Sequence, residues 1–187
     1  MTRGYLKSAW HDSAELNNKN FALCIDKAKE SRILDIGCED GRILKDRLKG
    51  KISKPKLWGI DSDEAKVAKA KKKGINAIRA SAESPLPYKN DFFDVVSANQ
   101  IIEHLVNVDV FISEIKRVLK PQGYLVLATE NLSSWHNIFA LTLGWQAFSQ
   151  HISNLQNIGN PLKIFEYENY HSGHIKILTP RGLKDLV

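Results

Sequence analysis

The amino-acid sequence predicts an α/β fold: a mostly parallel sheet, doubly wound, with helices on both faces. Three observations carry that prediction. Short apolar runs of strand length alternate with helical segments across residues 20–129, the pattern of right-handed strand–helix–strand units. The runs are nearly all apolar, as in strands buried on both faces. The chain has 187 residues, 43% of them hydrophobic, enough for one domain with a real core.

The elements follow in order. Asn20 to Lys29 reads as an amphipathic helix, with Phe21, Leu23, Cys24, Ile25 and Ala28 as its apolar content, within an N-terminal helical segment of residues 1–30. Ser31 to Ile36 (SRILDI) suits a buried strand, and a turn leads into a helix from about Gly41 to Leu48. Lys56 to Ile60 (KLWGI) is a second strand, Asp63 to Lys73 a helix, Ala77 to Ala80 a third strand and Phe92 to Ala98 a fourth. From Val108 to Leu119 the apolar residues Val108, Phe111, Ile112, Ile115, Val118 and Leu119 keep helical, one-faced spacing. Pro121-Gln122-Gly123 breaks that helix, and Tyr124 to Ala128 is a fifth strand. After Thr129 the alternation stops. Trp135 to Trp145 is an apolar and aromatic helix, a loop with Gly159, Asn160 and Pro161 follows, and Thr179 caps a helix opened by Pro180. With no repeat, low-complexity tract or linker, residues 1–187 read as a single domain.

Composition excludes several classes. No apolar stretch approaches the roughly 20 residues of a membrane span. The opening MTRGYLKSAWHD lacks a secretory h-region. Cys24 and Cys38 form no CxxC pair and no disulfide framework, so a cytoplasmic home is expected. The net charge of +6 gathers in Lys45, Arg47, Lys49, Lys51, Lys54 and Lys56, and in Lys66, Lys69, Lys71, Lys72 and Lys73. Such runs read either as a nucleic-acid footprint or as solvated helix ends. In this fold both lie at the amino ends of the strands, away from the ligand-binding edge, so a nucleic-acid partner is disfavoured.

Ligands of open parallel sheets bind at the carboxyl ends of the strands. The first strand ends in ILDIGCEDGRIL, where Gly37 and Gly41 bracket a tight turn. The spacing is G-x-x-x-G, not the G-x-G-x-x-G of a dinucleotide loop, and no G-K-[ST] follows. Asp35, Glu39 and Asp40 would repel a pyrophosphate but suit a cation. Twenty residues past Gly41, Asp61 ends the second strand, where a carboxylate can accept both hydroxyls of a ribose. A ribose joined to a positive charge fits S-adenosylmethionine, which carries an ammonium and a sulfonium and no phosphate.

The segments ILDIGCEDG, GID, ASAESPLPYKNDFFDVV, NQIIEHL and VLKPQGYLVLAT, in this order over about Ser31 to Thr129, resemble the class I S-adenosylmethionine-dependent methyltransferases of the type 11 group. The resemblance implies a Rossmann-like sheet of seven strands with a final antiparallel strand. Residues 31–129 would be the cofactor-binding core and 130–178 a substrate-side insertion or lid. The last strands of that fold are expected to be missing here, leaving the fifth strand as an edge unless a homodimer covers it. By the same resemblance Asp35 and Gly37 line the methionine part, with Cys38 and Gly41 in the same turn. Asp61 holds the ribose, Ile60 and Ser62 flank the adenine, Ala82 offers its backbone to the adenine edge with Ser81 beside it, and Asn99 faces the methionine part. Two positions depart from the family: Glu39 replaces a usual glycine and Ser81 a usual aspartate.

Methyl transfer from a sulfonium needs positioning and exclusion of water, and a base only when the acceptor must lose a proton. His104, Glu130, His136, His171 and His174 lie where a base could act, and His104 is the single catalytic candidate retained. His171 and His174 have no cysteine or carboxylate at a usual metal-ligand spacing, so they read as loop histidines and no metal is expected. Ser133 to Phe148 reads equally as core packing or as a lid. ENLSSWHNIFALTLGWQ and GHI…TPR resemble methyltransferases that modify cell-surface glycans or lipids. The expected function is methyl transfer to a small-molecule, glycan-linked or lipid-linked acceptor. Methylation of RNA or protein is the alternative, as is a methyltransferase-like module that binds the cofactor without turnover.

Overall fold

The computed structural model describes residues 15–25, 31–49, 56–153, 156, 158–161 and 173–187. Helix α1 covers residues 15–25. Then come β1 (Arg32–Ile36), α2 (Arg42–Leu48), β2 (Lys56–Asp61), α3 (Glu64–Lys72), β3 (Asn76–Arg79) and β4 (Phe93–Asn99). A short 3-10 turn, Ile102–His104, precedes α4 (Val108–Val118), β5 (Leu119–Ala128), α5 (Trp135–Thr142) and α6 (Pro180–Leu186). The five strands are all parallel in the order β3-β2-β1-β4-β5. The chain winds outward one way from β1 to β3 and then crosses back to β4, so the strand order reverses between β1 and β4. That switch point opens a crevice at the carboxyl ends of the two strands.

Alternation along β1 builds a core on each face. Ile33 enters a cluster with Phe21, Ile25, Leu44, Leu48, Val67 and Ala70 under α1, α2 and α3. Leu34 and Ile36 enter the opposite cluster with Phe93, Val96, Phe111, Ile112, Ile115 and Val118 under α4. Phe111 and Ile115 are each 1% exposed, and burying such a side chain contributes roughly 1.5–3 kcal/mol. Asp35 shares the face of Ile33, which turns its carboxylate toward α1 and α2.

Three elements differ from the sequence expectation. The first helix is already helical at residue 15, ahead of the predicted start at Asn20, and residues 26–29 of the prediction lie outside the described residues. Pro121-Gln122-Gly123 does not separate helix from strand. It bulges out of a longer β5, in which Leu119 pairs with Phe93 and Tyr124 with Val95. The bulge is held by Lys120 Nζ on Asp94 at 2.6 Å and accommodates Gln122 at φ 69°. The aromatic helix ends at Thr142, before Gly144 at φ 72°, a left-handed stop that glycine permits. The resemblance implied seven strands; among the described residues five form the sheet and β5 is its edge, with one further parallel bridge, Asn131 to Leu178.

Candidate functional site

The β1–α2 turn forms one wall of the crevice, and its shape follows from its backbone. The amides of Gly37 and Cys38 both donate to the Ile60 carbonyl, at 2.9 and 3.0 Å, which docks the turn on the end of β2. Gly37 sits at φ 74°, and a Cβ there would lie 2.2 Å from Ile101 Cδ1, so the position needs glycine on both counts. Glu39 follows at φ 47°, and its amide donates to Asp61 Oδ2 at 3.0 Å. The Asp63 amide donates to Asp61 Oδ1 at 2.9 Å. Asp61, 8% exposed, thus ties the turn to the start of α3.

Between β1 and β4 lies a cleft of about 240 Å³, lined by Asp35, Gly37, Cys38, Arg47, Asn99 and Ile101 among others. Asp35 is 5% exposed and accepts a 2.5 Å hydrogen bond from the Ser97 hydroxyl. Burial pushes its carboxyl up to about 6, while the Ser97 bond and the Arg47 charge pull the other way. Arg47 is itself buried, its Nη2 donating to Asn18 Oδ1 at 2.5 Å and its guanidinium 4.4 Å over the Phe21 ring. Its Nε is buried with no hydrogen-bond partner among the described residues. Asn99 Oδ1 accepts from Asn17 Nδ2 at 3.0 Å, so α1 closes the cleft from the side. Burial pushes the Cys38 thiol up to about 12, which makes it an inert wall rather than a nucleophile.

The remaining predicted residues sit around this cleft without lining it. Gly41 caps α2 and packs against Ile75. Ile60 is 1% exposed, its side chain within the core on the α4 face. Ser62 is exposed, with its carbonyl accepting from Arg79 Nε. Ser81 is exposed, its hydroxyl accepting from the Glu83 amide, and Ala82 is half-buried beside it. His104 is half-buried, with Nδ1 against the Gly173 carbonyl at 3.3 Å and its ring 4.9 Å from that of His174. His174 thereby meets a carboxylate, Glu103, that lies far from it in sequence. His136 lies near the Ser134 and Ser149 hydroxyls, Glu130 is half-buried, and His171 lies outside the described residues.

The basic runs need correction. Arg47 does not point into solvent on the far face; it lines the cleft beside Asp35. Lys66 pairs with Glu39 at 3.2 Å and Lys73 with Asp40 at 2.5 Å. Two of the three carboxylates read in the turn are therefore partnered by lysines, and the negative charge left for a ligand is that of Asp35 and Asp61. No periodicity in the sequence marks Arg47. The one local signal is its spacing four residues after Ile43, which also lines the cleft from α2.

Helix α5 divides the two readings of its segment, with few of its side chains packed inward and most of its apolar ones facing out. Its inward residues are Ala140 and Asn137, the latter bonded to the Asn131 carbonyl and to Ser149. Trp135 is 80% exposed, and Ile138, Phe139 and Leu141 also face outward.

Comparison with known proteins completes the picture. A family profile described as a methyltransferase domain matches residues 9–187. The ubiquinone biosynthesis O-methyltransferase of Bartonella bacilliformis is 32% identical over 111 residues, which cover 56% of this chain and 44% of that protein. The Rickettsia prowazekii protein of the same name is 27% identical over 184 residues, covering 90% and 70%. The chain spans less than half the length of the first curated relatives it matches. Among solved structures, a SAM-dependent methyltransferase from Thermotoga maritima superposes with a TM-score of 0.63 over 100% of this chain and 74% of its own, at 22% identity, a likeness of fold alone.

Proposed function

The chain belongs to the methyltransferase domain family, and from that premise we propose that it is an S-adenosylmethionine-dependent methyltransferase with a small-molecule, glycan-linked or lipid-linked acceptor. The single observation that carries this reading is the opposed charge in the cleft. Asp35 and Arg47 stand there together, both buried, and Arg47 Nε is a donor without a partner. A buried guanidinium donor left unpaired is costly. A bound amino-acid zwitterion satisfies both sides: Asp35 would hold the ammonium and Arg47 the carboxylate. A pyrophosphate would pair with Arg47 but stand against Asp35.

Asp61 would hold the ribose hydroxyls with the lone pairs its two amide bonds leave free. When bound, S-adenosylmethionine supplies an electrophilic methyl group. The chain contributes positioning, since Gly37, Ile101 and Asn99, the last bonded to Asn17, line the cleft. A base is required only for an acceptor that must lose a proton.

The related ubiquinone biosynthesis enzymes are named for O-methylation. The outward apolar face of α5, within the 130–178 segment, suits an apolar or lipid-linked acceptor. Among the described residues no helix is long and apolar enough to cross a membrane. Isothermal titration with S-adenosylmethionine, S-adenosylhomocysteine and NAD on one preparation tests the cofactor. Binding of the first two without NAD is expected; NAD alone, or none of the three, withdraws the reading.

A further inference from the structure

Glu103, His104 and His174 bring three donor groups to one point, and the surrounding bonds fix what each can offer. The Ile175 and Lys176 amides both donate to the Glu103 carbonyl, at 2.8 and 3.1 Å, so the 173–177 segment is pinned against the 3-10 turn. Lys176 Nζ reaches the Val106 carbonyl and reinforces that clamp. His174 Nδ1 lies 2.7 Å from the Ser149 carbonyl, and His104 Nδ1 lies 3.3 Å from that of Gly173. A carbonyl only accepts, so the bonds assign the proton to each Nδ1, and in the neutral ring Nε2 then offers the lone pair. Backbone carbonyls orient metal-ligating histidines in this manner. Glu103 is 0% exposed; Thr129 donates to its Oε2 at 2.9 Å, and its Oε1 has no hydrogen-bond partner among the described residues. One ligand atom from each of the three residues lies within 4.8 Å of the others. Small side-chain rotations close that spacing to the roughly 3.4 Å between ligands of a tetrahedral ion with bonds of about 2.1 Å.

We propose that Glu103, His104 and His174 form a divalent-metal site of the two-histidine, one-carboxylate type, suited to Zn²⁺, with its remaining coordination positions open. Two imidazoles favour a borderline ion over Mg²⁺ or Ca²⁺, which take oxygen ligands. Three protein ligands leave room for water or for an oxygen of another molecule. The site is built without Asp35, Arg47 or Asp61, so it does not depend on the cofactor. Gln100 and Ile101, just before the turn, line the cofactor cleft. Resting on the methyltransferase reading, an ion held there would supply Lewis acidity, binding an acceptor oxygen and lowering its pKa.

The test is titration of chelator-stripped protein with Zn²⁺, with Co²⁺ as a spectroscopic probe. About one ion per chain is expected, with a visible d–d absorption band for Co²⁺. Glu103→Gln, His104→Ala and His174→Ala should each weaken Zn²⁺ binding by at least roughly tenfold, whereas Cys24→Ser, at an exposed thiol, should not change it. Glu103→Gln keeps the side-chain shape, so it reads the site even where an alanine variant loosens the clamp. No bound ion in the wild type overturns the proposal. So does an ion that survives both alanine substitutions, or one that leaves with Cys24→Ser. S-adenosylhomocysteine binding by the metal-free protein, measured alongside, separates failure of this site from failure of the cofactor reading.

Discussion

Burial of the Asp35 carboxyl makes this residue expensive to keep ionised, and that expense has a measurable sign. Its pKa of about 6 stands above the 3.8 of an unburied aspartate, so between those values the folded chain holds a proton that the unfolded chain has lost. Stability therefore falls as pH rises from about 4 to about 6 and is level above that window. The ionised form costs up to about 3 kcal/mol. Asp35→Asn keeps an acceptor for the Ser97 hydroxyl and removes the charge. It should raise the melting temperature by several degrees at pH 8, change little at pH 4, and abolish S-adenosylhomocysteine binding. A variant no more stable at pH 8 than the wild type would contradict the burial account. Arg47 has its own discriminating test. If it holds the amino-acid carboxylate, Arg47→Gln should weaken S-adenosylhomocysteine by roughly 10–100-fold, the value of a charge-assisted bond of about 1.5–3 kcal/mol, and leave adenosine unaffected. Equal losses for both ligands would mean that Arg47 acts only through α1 packing.

At the scale of the element, the β1–α2 turn separates backbone strain from steric fit. Gly37 and Gly74 both have positive φ, at 74° and 81°. A Cβ on Gly74 meets nothing within 4 Å, whereas one on Gly37 strikes Ile101. Each alanine substitution should cost about 1 kcal/mol for the left-handed backbone. Only Gly37→Ala should also displace Ile101 in the cleft and weaken S-adenosylhomocysteine; thermal melts paired with titration check both parts. Most elements of this kind were legible in sequence because β1, β2 and β4 are buried on both faces and read as apolar runs. The predicted and observed ends of β2 and β4 agree within a residue. The start of β5 was not legible, because Pro121 and Gly123 read as a break while the pairing of Leu119 with Phe93 is a long-range fact. Helix α5 was legible as a helix but not in its orientation, which is set by Asn137 bonding inward to Asn131 and Ser149. In the site, Asp35, Gly37, Cys38 and Asn99, named on the strength of the family resemblance, all line the cleft. Arg47 escaped that reading because only packing on Phe21 and Asn18, brought over by α1, distinguishes it from its lysine neighbours.

Across the whole molecule the positive charge is divided between two uses, and a count of +6 cannot separate them. Lys66 and Lys73 reach the acidic turn, where they pair with Glu39 and Asp40. Lys69, Lys71 and Lys72, on the same helix, are exposed, and no ion pair holds them among the described residues. The first group shapes the cofactor side, and the second solvates α3 near its negative end. Charge reversal should therefore split the run. Lys71→Glu with Lys72→Glu should leave S-adenosylhomocysteine affinity and methyl transfer unchanged, at the small stability loss expected for surface substitutions, within about 0.5 kcal/mol. Lys73→Glu should set a like charge against Asp40, lower the melting temperature and weaken the cofactor, because the turn it unsettles carries Gly37 and the amide of Glu39 that holds Asp61. Titration at two salt concentrations sharpens the comparison, since screening relieves the repulsion in Lys73→Glu and does nothing for the double variant. A double variant that loses activity while still binding cofactor would restore the basic face as a binding surface for an anionic substrate. An unchanged double variant leaves the acceptor to the surface around the cleft, apart from these lysines.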